Sequence, residues 1–294
     1  MQSIRKYVSV LLSTTILALV GGCANLGEIR EFGKLSADSA GYTQLTDDYL
    51  SSPVRQKKYT FSNEKEVRDK LDELMKSRAV QAEKLKLYHK AIESYMKALA
   101  DLAGDEVTNS DKELGSLIDN AKSTNLVPQD QADALKSISS VLSDAATNLY
   151  RQRKLHDVID RANAPLQNVI SGLIFNVGSA YPEAINGEEQ YFVSYYQVLL
   201  ATAKEPLTTS KEPREPAAAQ LIIDLVAEKR PAFESRRKAA TAYVATLKNI
   251  GIAHQYLHDN RDRLSNDEVR SAMKHYATEI YSAYKKFAQA SKTN

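Results

Sequence analysis

Tryptophan is absent from the 294 residues, cysteine occurs once, and glycine and proline number only 11 and 8. Each shortage excludes something. A single cysteine cannot close a disulfide within a monomer, so stability has to come from packing. Scarce glycine and proline leave long stretches of Ala, Leu, Lys, Glu, Gln and Asp uninterrupted, a composition that favours helix almost everywhere. No stretch alternates apolar and polar residues for long enough to predict a strand. Charge of one sign is also lacking, with 39 basic residues against 37 acidic ones, so a polyanion such as nucleic acid is not an expected partner. Gly-x-Ser-x-Gly, a Walker loop and a dinucleotide fingerprint are all missing, and the one thiol is needed elsewhere. The expectation is a protein that is not an enzyme.

What is present begins at the N-terminus. Arg5 and Lys6 precede an unbroken run with no charged residue, Val8 to Val20, which leads into Gly21, Gly22 and Cys23. A positive segment, an apolar segment and small residues before a cleavage point are the parts of a secretory signal peptide. Small side chains let the backbone lie close to a peptidase's catalytic groups, and Cys23 supplies the nucleophile that a lipid needs. The run is shorter than the ~20 residues of a bilayer crossing, which argues against an uncleaved anchor.

Val20-Gly21-Gly22-Cys23 resembles the processing site of bacterial lipoproteins, over the first two dozen residues only. The resemblance implies cleavage between Gly22 and Cys23, loss of residues 1–22, and acyl chains on Cys23 as the covalent lipid; two or more chains anchor a protein stably. No other cofactor is expected. Ala24 stands where many members retained at the inner membrane carry Asp, so the resemblance implies the outer membrane, with the chain facing the periplasm. Loss of Arg5 and Lys6 with the leader leaves the two signs of charge equal. Roughly 270 residues remain, enough for one large or two modest domains.

Along the mature chain, residues 23–62 read as a lipidated tether with a short helix, interrupted near Ser39-Ala40-Gly41, and 51–61 read as loop because Pro53 disfavours αR in Ser52. Residues 63–103 give the clearest helix: Asn63 is positioned to cap it, and Val67, Leu71, Leu74, Leu85, Tyr88, Ile92, Tyr95 and Leu99 form its apolar stripe. At ~1.5 Å per residue it spans about 60 Å, which predicts an elongated molecule. A shorter helix follows over 111–124, then a long one over 129–163 that Pro165 kinks or breaks. A turn is expected at Asn186-Gly187 and helix from 188 to 203. The segment 206–216, within a stretch holding Pro206, Pro213 and Pro216, reads as a Pro-rich loop. Residues 217–294 then predict a helical hairpin, its first helix interrupted by Pro231, packed on the same bundle as 63–205. The fold class is all-α: an elongated bundle of long antiparallel amphipathic helices with coiled-coil-like packing.

Four features are candidates for function. Tyr191, Phe192, Tyr195 and Tyr196 cover more than one helix face, which suits a partner surface. Tyr88, Tyr95, Tyr243, Tyr276 and Tyr284 lie on stripes instead, as core residues whose hydroxyls reach the rim. His254 and His258, four apart on one helix, are weak candidates for metal: Gln255 occupies the place where a zinc-peptidase helix carries glutamate, and His254 continues a core stripe. The segment 162–182 holds no charged residue and is the alternative candidate, for a membrane-active or lipid-handling role. Its asparagines, glutamine and serines would bring unsatisfied groups into hydrocarbon, so core or subunit interface is the stronger reading. The basic runs at 55–58 and 236–238 read as solvated faces, the first near headgroups. Together these readings lead to an anchored, non-enzymatic protein that contacts an unknown envelope protein as scaffold, adaptor or inhibitor.

Overall fold

The computed structural model describes residues 26–104, 128–147, 151–205 and 215–292. Among the described residues there is helix and no strand. The helices are α1 (Gly27–Ala40), α2 (Gln44–Lys58), α3 (Lys65–Ala103), α4 (Gln129–Thr147), α5 (Arg151–Phe175), α6 (Tyr181–Lys204), α7 (Pro216–Asp259) and α8 (Asp267–Lys292), with a π turn at Asn176–Ala180 and a 3-10 turn at Arg261–Arg263. The chain is an all-α bundle. The residues expected in a helix at 111–124 lie outside the described ones, as do the leader, Gly22 and Cys23.

Two helices are much longer than the other described ones, α3 with 39 residues and α7 with 44, the latter about 66 Å at ~1.5 Å per residue. The others pack along one half or the other. Around the C-terminal half of α3 sit α1, α4 and α5, with α8 against α1 and α7; around its N-terminal half sit α2 and, on α2 and α7, α6. Antiparallel register is fixed by Asn163 with Gln255 and Gln167 with Gly251 along α5 and α7, and by His156 with Asp262 in the 3-10 turn after α7. Close approach of α1 to α3 needs Gly33, where a Cβ would meet the Met96 carbonyl at 2.8 Å.

Several expectations drawn from prolines and turns are corrected. Within the segment read as a tether, residues 27–40 and 44–58 form two helices, and Ile29 and Phe32 of α1 belong to the core. Pro53 lies inside α2, not in a loop. A proline there leaves the carbonyl four residues back, that of Tyr49, without its helical donor; Arg78 of α3 donates to it at 2.7 Å. Pro165 and Pro231 likewise lie inside α5 and α7. At Pro182 the chain inserts a π turn just before α6, and the Tyr181 N–H bonds the Asn176 carbonyl.

Asn63 does not cap α3. Glu64 occupies the N-cap and its side chain reaches back to the Phe61 N–H at 2.7 Å. The long helix expected over 129–163 is two helices lying side by side: Asp144 of α4 and Arg161 of α5 pair at 2.8 Å, where one straight helix would hold them about 25 Å apart. Asn186 and Gly187 lie within α6, since Ile185, Glu188 and Phe192 carry one buried face straight through them. Packing of that face overrides the weak local turn signal.

The uncharged segment 162–182 supplies core. Leu166, Val169, Ile170, Leu173, Val177 and Tyr181 are buried, and Gln167 and Asn176 spend their amides on backbone carbonyls. Phe175 is the exception, 68% exposed. Among the described residues no helix is long and apolar enough to cross a membrane.

Candidate partner-binding site

Two buried histidines show how this core handles polar groups. His254 has no exposed surface, and burial, helped by the charge of His258, pushes its pKa down to about 3, so the ring is neutral. Its Nδ1–H donates to Asn163 Oδ1 at 2.9 Å, because the Asn163 amide nitrogen is directed at Gln255. Its Nε2 is then left to accept from the Tyr95 hydroxyl at 2.6 Å. His89 is built the same way: its ring bonds the Ala40 carbonyl at 2.7 Å through Nδ1 and Thr46 Oγ1 at 3.0 Å through Nε2, while the Tyr243 hydroxyl also donates to the Ala40 carbonyl. Burial lowers the His89 pKa as well. The last carbonyl of α1 is thus capped by a histidine and a tyrosine from two other helices.

Tyr95 and Tyr243 therefore keep their hydroxyls inside the core rather than at its rim, and burial raises both pKa values. His258 faces different partners, Asp160 at 3.3 Å and Asp259 at 3.2 Å. So the two histidines do not share a vacant center: both nitrogens of His254 are engaged, and among the described residues no three His, Cys, Asp or Glu side chains are grouped for a metal ion.

The basic runs are not simple solvated faces. Arg236 is 6% exposed and donates to Asp48 at 2.8 Å and Glu188 at 2.9 Å. Arg55 forks onto both oxygens of Glu188, at 2.8 and 2.9 Å, and the Tyr181 hydroxyl donates to Asp48. Burial works to lower the Arg236 pKa, but the bond to Glu188 and the charges of Asp48 and Glu188 outweigh it and hold it above the ordinary value. This node ties α2, α6 and α7 together. Spacing along the chain carries no signal for it, since Arg55 and Glu188 are 133 residues apart.

Above that node the aromatic face of α6 meets the end of α2. Phe192 is 1% exposed and packs against Tyr59, Tyr196 and Phe233, with ring centroids at 5.2, 4.9 and 5.6 Å. It is a core residue, which corrects its place in a partner surface. Tyr196 also leans on the core, beside Tyr59. Tyr191 and Tyr195 are half-buried and line an open cleft of about 390 Å³ with Tyr59 and Phe61. Phe61 stacks on Tyr195 at 4.8 Å. Val67, Val198, Gln190 and Ser194 complete the apolar and amide lining, and Glu64 is its one charged residue. Burial, then the neighbouring Tyr196 and Glu188, raise the Tyr59 pKa.

Sequence reasoning found Tyr191 and Tyr195 but missed Tyr59, Phe61, Glu64 and Val67. The available signal was Tyr59-Thr60-Phe61, two aromatic residues in a segment read as loop. The cleft is far from the end where Arg270 holds Glu28 and where α7 stops at Asp259. Phe233, beneath the aromatic cluster, is about 39 Å back along α7 from that end. Val198 of the cleft lining is 50% exposed, and Leu221, near the start of α7, is 70% exposed. In comparisons with known proteins, no family model, curated protein or solved structure matches this chain.

Proposed function

We propose that the protein is a lipid-anchored component of the bacterial cell envelope that acts through protein contacts, as scaffold, adaptor or inhibitor, rather than by catalysis. The observation that carries this reading is the sequence Val20-Gly21-Gly22-Cys23 after an apolar run, followed three positions on by Leu26, a core residue. Three residues of extended chain reach at most ~11 Å. A bundle acylated at Cys23 therefore stands close to the bilayer on the end where α1 starts, with the aromatic cleft held tens of ångströms away. Ala24 favours the outer membrane and a periplasm-facing bundle.

Two further observations support contact over chemistry or membrane insertion. His89 and His254, two of the five histidines, are spent on the core. Residues 166–177 would have to leave the core to enter a bilayer. Photo-crosslinking residues placed in living cells at Ser194 and Val198, on the cleft rim, test the reading, with Ile252 at the opposite half as control. Discrete adducts from the rim positions and none from Ile252 are expected. Adducts equally from all three, or from none, contradict it.

A further inference from the structure

We propose that the cleft between residues 59–67 and 190–198 binds an alkylammonium side chain, a lysine presented by the partner protein. The inference rests on the reading of the α6 aromatic face as a contact surface and adds the chemistry of what it contacts.

Four half-buried rings, Tyr59, Phe61, Tyr191 and Tyr195, line one space of about 390 Å³. Ring faces carry negative potential and attract a cation within about 6 Å of the centroid, more strongly where water is partly excluded. The same walls accept the methylene stem of a lysine, which is apolar. Charge complementarity agrees: Glu64 is the only charged residue of the lining, and it is a carboxylate.

Glu64 also discriminates among cations. Its Oε2 already accepts the Phe61 N–H, and its other oxygen has no hydrogen bond among the described residues. One free oxygen suits the point charge of an ammonium, whereas a guanidinium is recognised best by a carboxylate that offers both. The larger groove between α1 and α3, about 580 Å³, lacks this character, because Lys34 and Lys97 face Asp38, Glu93 and Asp101 with no ring between them.

The test uses the full chain in an uncharged detergent, labelled with 3-fluorotyrosine, with the Tyr59, Tyr191 and Tyr195 resonances assigned by single Phe substitutions. Two probes are titrated: Nα-acetyl-lysine methylamide, and the same molecule with a methyl group in place of the ammonium. The lysine probe is expected to move these three resonances saturably, with half-saturation on the order of 1–10 mM. Its methyl isostere is expected to bind about five-fold more weakly. Glu64→Gln keeps an acceptor for the Phe61 N–H; it should weaken the lysine probe about three-fold and leave the isostere unchanged, with the remaining tyrosine resonances reporting an intact fold.

Equal binding of the two probes would show an apolar cleft and overturn the proposal, and so would an absence of shifts at Tyr59, Tyr191 and Tyr195. Either failure leaves membrane anchoring through Cys23 standing, because the probes and the readout involve neither lipid nor membrane.

Discussion

The guanidinium of Arg78 donates to the carbonyl of Tyr49 at 2.7 Å, the carbonyl that Pro53 deprives of a helical donor. The same guanidinium lies 4.2 Å above the Tyr49 ring. A side chain from α3 thus repairs α2 where its backbone ladder is broken. Arg78→Met should leave that buried carbonyl unpaired and cost about 2 kcal/mol in urea unfolding. Pro53→Ala restores an N–H to the position, so in that background the cost should fall by about 1 kcal/mol. Additive single effects would refute the repair.

The Asp48, Arg55, Glu188 and Arg236 node gives a second prediction. Glu188 is buried and accepts from both arginines, so Glu188→Ala strands two cations with only Asp48 to share. A loss of about 3 kcal/mol is expected. Lys70→Ala, which removes an exposed pair with Glu66, should leave stability almost unchanged. Comparable losses from the two variants would contradict the weight given to burial.

Stability should fall as pH falls below about 6.5. The unfolded chain protonates its histidines near that value. In the folded chain His254 stays neutral down to about 3, and His89 is also lowered by burial. Between these limits the unfolded state binds more protons, so stability rises with pH across the window and is lost as pH drops through it. From pH 7 to pH 5 His254 alone should account for about 2 kcal/mol. His254→Gln should flatten that slope, and an unchanged slope would show that the ring is not held neutral.

How much of this was legible beforehand depended on whether the signal was periodic. The stripes of α3, α7 and α8 appear as apolar residues three and four apart, and the same spacing gave the all-α class. Proline misled. Pro53 suggested a loop, and Pro165 and Pro231 suggested places where a helix could end, yet each sits within a helix, and at Pro53 the donor that compensates is 25 residues further along the chain. The cleft was half visible: Tyr191 and Tyr195 share one helix face, whereas Tyr59, Phe61 and Glu64 reach it from a separate segment that only the fold brings alongside. The ion node was invisible for the same reason.

Residues 162–182 offer a direct contrast between core and membrane roles. Ile170 is buried and Phe175 is exposed within the same segment. Ile170→Asp should destabilise the bundle by several kcal/mol, since it buries a carboxyl without a partner. Phe175→Ser should change stability by less than about 0.5 kcal/mol. Dye-filled vesicles should remain intact with the unmodified chain at any lipid ratio. Leakage that Phe175→Ser abolishes would favour the membrane-active role instead.

The most direct test of the account is the mass of the protein recovered from cell membranes. Intact mass spectrometry should find a chain that begins at Cys23 and carries covalent acyl groups, and Cys23→Ala should leave the membrane fraction while remaining helical by circular dichroism. A membrane-bound chain that retains residues 1–22, or a Cys23→Ala variant still in the membrane, would contradict it.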